Sequence, residues 1–371
     1  MGKHEDSWSD DPRDLLRADE SVALSTIERD ATPGWTGGKK AGKGFSRGRG
    51  DLLSELQERL FAEGRAGGDR SLLVVVQGLD TAGKGGVARH VLGMVDPQGV
   101  ALRSFGAPSP EEQKHHFLWR IKKALPEPGL IGVFDRSHYE DVLVARVDEL
   151  VTPDVWEKRY DEINAFEADL VESGTTIVKF GLVVSHDEQG ERLMKRLDRP
   201  DKHWKYSAND IPTRRKWDAY QEAYADVFRR TSTEAAPWYV VPADHKWYSR
   251  LAITEILTQT LIEMDPEWPS VDWDPEEERA ELAATLSTRA LRRSLRDTDR
   301  QVEKAVADDR QVREEAAQAR EEVAGDSDPV AEAEAEAREA EALATAAAAM
   351  VDLRRTRRQK AELLEERETA D

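Results

Sequence analysis

The sequence predicts an α/β fold, a parallel sheet covered on both faces by helices, with a lid module and a C-terminal helical extension. Three observations predict it. Short β-branched apolar runs alternate with amphipathic helical stretches between Leu52 and Met264. A glycine-rich turn, Gly78-Leu79-Asp80-Thr81-Ala82-Gly83-Lys84, follows the first of those runs directly. Beyond Pro275 the composition changes to Ala, Glu and Arg with almost no aromatics.

In order, residues 1 to about 50 lack periodicity and are rich in Gly, Asp and Lys, which reads as an extended arm or a disordered tail. Leu52 to Phe61 fits a short helix, and Leu72 to Val76 is too short and too β-branched for anything but a buried strand. Val100 to Phe105 reads as a second strand. Ser109 with Pro110, Glu111 and Glu112 supplies an N-cap, a proline at the first helical position and acids facing the dipole, so a helix is expected there. Leu130 to Phe134 is a third strand, Thr152-Pro153 opens a helix ending near Gly174, and Thr176 to Val184 is a fourth strand. Asp187 to Leu197 and Arg214 to Phe228 read as helices around a polar break, Trp238 to Val241 as a fifth strand, and Trp247 to Met264 as a closing helix. The tail, broken at Gly325 to Pro329, reads as a helical hairpin or a coiled-coil arm, with a solvated charged helix as the alternative. The organisation is thus an arm at 1–50, a phosphate-loop domain at 51–270 with a lid at about 192–216, and a charged extension at 276–371.

Composition restricts function. With no cysteine in 371 residues there is no disulfide framework, thiolate metal site or catalytic thiol. No apolar run reaches the roughly 18 to 20 residues that cross a bilayer, and MGKHEDSWSDD is acidic where an export signal would be basic and then apolar, so the expected location is the cytoplasm. The formal net charge of −20 argues against polyanionic partners if it is spread evenly, but it is not. Residues 1–30 carry −5, 265–280 carry −6 and 281–371 carry −7, leaving −2 for 31–264. Within that middle, Thr36 to Gly50 holds five bases and no acid, and Arg192 to Lys216 holds nine bases and three acids.

The glycine-rich turn matches G-x-x-x-x-G-K where a strand meets a helix. Gly78, Gly83, Gly85 and Gly86 allow backbone N–H groups to close on a phosphate, and Lys84 reaches its oxygens. Gly85 stands where a Ser or Thr hydroxyl would bind Mg²⁺, so another oxygen must hold the metal. Asp80 and Asp135 are the candidates, with Asp80 as a loop hydrogen-bonder the plainer alternative. Arg136 can fork onto phosphate oxygens, Glu140 falls four residues later to anchor it, and His138 reads as structural. Arg192, Arg196 and Arg199 recur at helical spacing ahead of Pro200, Lys202 and Lys205, a pattern suited to a lid that closes cations over phosphates.

These residues resemble the second family of polyphosphate kinases, which look like thymidylate kinases with a P-loop and a lid. The resemblance is carried by GLDTAGKGG, FDRSHYEDVLVARV, SFGAPSPEEQKHHFLWR and RLDRPDKHWKYSANDIPTRRKWDAY, with DATPGWTGGKK similar to the family's entry arm, and it spans about Asp30 to Met264. It implies Mg²⁺- or Mn²⁺-dependent, reversible phosphoryl transfer between inorganic polyphosphate and nucleoside mono- or diphosphates. In that reading Asp80 and Asp135 are catalytic and metal-linked, Lys84 and Arg136 clamp phosphate, and Arg192 or Arg196 is the lid cation. FGAPSPEEQKHHFLWR is more like the subgroup that takes AMP as well as ADP. Homo-oligomers, dimers or tetramers, are implied, with no membrane or nucleic-acid partner. The residues themselves also admit an ATP-dependent nucleotide kinase or NTPase, and a nucleotide-binding scaffold.

Overall fold

The computed structural model describes residues 8–323 and 329–370. The chain divides into two compact units, Met1–Pro269 and Ser270–Asp371.

In the first unit a short helix α1 (Pro12–Leu16) precedes the long α2 (Lys39–Arg65), and β1 (Ser71–Gly78) leads through the glycine-rich turn into α3 (Lys84–His90). Then come β2 (Val100–Ser104), α4 (Trp119–Lys122), β3 (Ile131–Asp135), α5 (Glu140–Val147), α6 (Pro153–Glu172) and β4 (Thr175–Val183). The run α7 (His186–Leu197), α8 (Asp210–Arg215) and α9 (Trp217–Thr231) precedes β5 (Trp238–Pro242) and α10 (Lys246–Met264). The five strands form one parallel sheet in the order β2-β3-β1-β4-β5.

Alternation along β1 explains the two layers. Leu72, Val74 and Val76 pack with residues of α2, α3 and α10 such as Leu60, Val87 and Ile253, whereas Leu73 and Val75 pack with Val142, Ile163 and Val227 from α5, α6 and α9. Both faces are dry, as a parallel sheet requires. The register places Val76 beside Asp135, so the carboxyl ends of β1 and β3 open side by side.

Two expectations change. The helix expected from Leu52 begins at Lys39, so the bases of Lys39 to Arg49 are helical rather than part of an extended arm. Two of the glycines that read as disorder are points of close approach: a Cβ on Gly42 would lie 2.9 Å from the Trp247 ring and one on Gly50 would lie 2.6 Å from Met94 Sδ. Arg49 pairs with the buried Glu255 of α10 at 2.6 Å, locking α2 to α10. The segment before α2 is packed too. Trp8 sits edge-on to Trp35, and the N–H of Ala18 bonds the Trp238 carbonyl, covering the outer edge of β5.

The second change concerns Ser109. Its cap forms as a reciprocal box, the Ser109 N–H donating to Glu112 Oε2 at 2.7 Å and the Glu112 N–H to Ser109 Oγ at 3.3 Å, yet only the 3-10 turn Glu112–Lys114 follows. None of those turn residues is buried, and a helical start without a face to bury does not propagate.

The second unit holds α11 (Pro275–Thr285), α12 (Thr288–Val323) and α13 (Pro329–Ala370). Pairs Arg292–Glu368 at 2.7 Å and Arg357–Asp299 at 2.6 Å run in opposite senses along α12 and α13, which therefore form an antiparallel hairpin, one of the forms expected of the tail. Most of the expected break, Gly325 to Asp328, lies outside the described residues. Among the described residues, no helix is long and apolar enough to cross a membrane.

Candidate active site

At the carboxyl edge of the sheet, where α/β folds bind ligands, the molecule opens into a cleft of about 930 Å³. Its lining contains eleven lysines and arginines against two aspartates, Asp80 and Asp135.

The floor is the turn between β1 and α3. Gly78 (φ +155°) is enclosed beneath it, where a Cβ would lie 2.7 Å from the Leu182 carbonyl oxygen and 3.0 Å from Ala82 Cβ. Gly83 (φ +124°) begins α3, and Gly85 and Gly86 keep its first turn open to the cleft. Lys84 donates from Nζ to the Gly78 carbonyl at 2.6 Å and to that of Leu79 at 3.4 Å. Burial pushes its ammonium below the usual lysine value, against the attraction of Asp80.

Asp80 accepts from Arg136 Nη2 at 3.0 Å, and Glu140, one helical turn after Arg136, stands 3.9 Å from the other side of the guanidinium. Arg136 is in the left-handed region at φ +64°, its N–H bonded to the Val76 carbonyl at 3.1 Å, which turns the chain sharply off β3. Although burial opposes its charge, Glu140 and Asp80 hold the guanidinium above its ordinary value. Burial conversely lifts the Glu140 carboxyl, against the pull of Arg136 and Lys84. The Asp135 carboxylate has no hydrogen-bonded or ion-paired partner among the described residues and lines the cleft, free to accept a cation. His138 is wholly buried and bonds Glu167 at 3.1 Å, the structural role expected of it.

The lid-like segment supplies the opposite wall. Arg196 donates to the Lys205 carbonyl at 3.0 Å and lies 3.6 Å from Asp210, so it braces the segment. Arg199 and Lys202 share Asp201, each at 2.9 Å, and Lys205 lies 4.9 Å from the Trp204 ring; all three line the cleft from an exposed turn. Arg192 departs from the expected lid cation. It is buried, and every N–H of its guanidinium is taken by Glu188 and by the carbonyls of Thr81, Ala82, Ala243 and Asp244.

Sequence reasoning missed a third wall: Arg89 at the end of α3, and Lys246 and Arg250 at the start of α10. None of the three makes a salt bridge among the described residues. Burial and Arg89 lower Arg250, and burial, Arg250 and Arg89 lower His90, so these cations are crowded upon one another. The available signal was the i, i+4 spacing of Lys246 and Arg250 at the start of the helix that follows a parallel strand.

Fold and cleft together define an α/β protein with a strongly cationic cleft at the carboxyl edge of its parallel sheet. Within that class, the chain belongs to the polyphosphate kinase 2 family, whose model matches residues 46–269. It is 44% identical over 254 residues to the AMP/ADP-polyphosphate phosphotransferase of Meiothermus ruber, covering 68% of this chain and 94% of that one. It is 43% identical to the ADP-polyphosphate phosphotransferase of Rhodopseudomonas palustris, over 59% and 78% of the two chains. The crystal structure of polyphosphate kinase 2 from Arthrobacter aurescens TC1 superposes with a TM-score of 0.73 at 48% identity, covering 75% of this chain and 98% of that one. The family match ends where the second unit begins.

Proposed function

We propose that this chain transfers phosphoryl groups between inorganic polyphosphate and nucleoside mono- and diphosphates, with AMP and ADP as acceptors and ATP formation reversible. The observation that carries the reading is the cleft itself. Ten cations besides the internally bonded Arg192, with two carboxylates, line the end of a parallel sheet and suit a ligand with a charge on every phosphorus.

Transfer of a phosphoryl group asks the protein mainly to align two anions and offset their repulsion. Lys84 and Arg136 orient the transferred group, and Asp80 and Glu140 hold the Arg136 fork in place. Arg199, Lys202 and Lys205 approach from the lid and exclude water as it closes. Two carboxylates at the ends of neighbouring strands, one without a protein partner, fit Mg²⁺, which takes one or two carboxylates with substrate phosphates completing its shell. When bound by Asp80 and Asp135, Mg²⁺ or Mn²⁺ would neutralise phosphoryl oxygens. We also read the enzyme as a cytoplasmic homo-oligomer whose glycine-rich turn acts as a P-loop, which the motifs and family resemblance support.

The test is incubation with AMP or ADP and long-chain polyphosphate in the absence of ATP. Formation of ADP and ATP is expected. No phosphorylated nucleotide from polyphosphate, with turnover from ATP instead, would refute the reading.

A further inference from the structure

We infer that Arg192 is a positioning residue, which locks the turn between β1 and α3 to the root of the lid rather than touching phosphate. The inference rests on the reading that this turn receives the phosphate chain.

A guanidinium has five N–H bonds, and here each has an acceptor. Nε donates to Glu188 Oε1 at 2.6 Å, Nη1 to the carbonyls of Thr81 at 2.9 Å and Ala82 at 3.3 Å, and Nη2 to those of Ala243 at 2.7 Å and Asp244 at 2.9 Å. The side chain is 4% exposed. Nothing remains with which to bind a phosphoryl oxygen unless these bonds break, and each broken bond strands a carbonyl.

The acceptors explain what the residue does. Thr81 is a β-branched residue at φ +70°, a conformation that costs energy and persists only where surroundings enforce it. Arg192 binds the carbonyl of that residue and of the next. Because a trans peptide points its C=O and N–H in opposite directions, holding the Ala82 carbonyl turns the Gly83 N–H away from the guanidinium. The other fork fixes the turn after β5, where Asp244 is itself a junction. Its Oδ1 accepts the N–H of Ser185, the N-cap of α7, at 2.8 Å, and its own N–H donates to the Arg29 carbonyl at 3.0 Å. One planar side chain thus ties the glycine-rich turn, the first turns of α7 and the β5–α10 turn into one block, to which Asp244 fastens the N-terminal segment.

Lysine separates this role from charge neutralisation, because an ammonium keeps the charge but its three donors cannot span both turns. In polyphosphate-driven ADP phosphorylation, R192K and R192Q are expected to lose about 100-fold in kcat/KM, the cost of misplacing a reacting group by about 1 Å, and to agree within about threefold. If R192K keeps at least a tenth of wild-type kcat/KM while R192Q does not, Arg192 acts through its charge and the inference is overturned. Glu188, absent from the cleft lining, gives a second handle that survives if the arginine variants fail to fold. E188Q keeps an oxygen acceptor for Nε and is expected within about twofold of wild type, whereas E188A frees the guanidinium to turn and is expected to lose about threefold or more. Unchanged or increased turnover in E188A would overturn the inference. An active wild type with lysine rescue overturns the inference alone; a wild type inactive with polyphosphate overturns the functional reading and the inference with it.

Discussion

Asp80→Asn separates chemistry from architecture. Asp80 Oδ1 lies 3.0 Å from Arg136 Nη2, a gross attraction of about 5.5 kcal/mol at an effective dielectric of about 20. The two side chains are 29% and 37% exposed, and solvent with the lost desolvation reduces the net value of such a pair to about 1 kcal/mol or less. Asparagine also keeps an oxygen for Arg136 to bind. Stability should therefore fall by about 1 kcal/mol, which for a domain of this size lowers Tm by about 2–4 °C. Turnover should fall far more. The substitution removes one of only two acids in the cleft, and losing a preorganised charge at a site of phosphoryl transfer costs about 10²- to 10³-fold in kcat. The assay is luciferase-detected ATP from ADP and polyphosphate, with thermal unfolding on the same samples. If kcat stays within threefold of wild type at saturating Mg²⁺, Asp80 is only a partner for Arg136. If Tm drops by more than about 8 °C, its role is structural.

Three more outcomes follow from the geometry. Burial raises the Glu140 carboxyl above its ordinary 4.5 despite Arg136 and Lys84, so the folded protein keeps this proton to higher pH than the unfolded chain; stability is full below 4.5 and is lost as pH rises through the raised value. The Tm of E140Q minus that of wild type should accordingly grow as pH rises above 4.5, and a difference that shrinks refutes the assignment. Gly78→Ala drives a Cβ to 2.7 Å from the Leu182 carbonyl oxygen; it should cost about 1–3 kcal/mol in denaturant unfolding and most of the activity, and a neutral result in both would show that the turn relaxes freely. The buried Lys179 ammonium contacts Glu167 at 2.5 Å, the Thr231 carbonyl at 2.7 Å and the Tyr139 hydroxyl at 2.9 Å. K179M should cost about 3–5 kcal/mol by leaving Glu167 charged with no cation but His138 and only the neutral Tyr139 hydroxyl beside it, and adding E167Q should recover part of that loss, whereas additive losses would mean the pair is uncoupled.

What the sequence could reveal depends on how local the cause is. The run Leu72 to Val76, closed by Gly78, carries its own strand signal, and Asp80, Lys84, Asp135 and Arg136 are brought together because they end two strands that pair side by side. The start of α2 was hidden because two of its glycines, Gly42 and Gly50, are there for Trp247 and Met94, far along the chain or in another element. Ser109 shows the reverse failure: a correct cap signal whose helix does not continue, because none of the turn residues Glu112 to Lys114 is buried. The role of Arg192 was not legible from spacing. Arginines at helical intervals look alike until one is found holding carbonyls that arrive from the ends of β1 and β5.

A chain with formal charge −20 can hold a polyanion because folding sorts charge that the sequence only lists. The segments 1–30 and 265–371 carry −18 of it. In the first unit, Arg89, Lys246 and Arg250 come from α3 and α10, helices that are neighbours on the same face of the sheet but 150 residues or more apart in sequence, and they converge without a salt bridge to any acid among the described residues. At the ionic strength of a cell, fields between exposed charges fade over about 8 Å, so the charge a ligand meets is set by the residues around it rather than by the net charge of the chain. Burial and the crowding of neighbouring cations both count against charge here, and both lower His90 and Arg250. The same repulsion that weakens the empty cleft is relieved when a chain of phosphates lies in it, so the cost of building the site returns as affinity for a ligand with many charges rather than one.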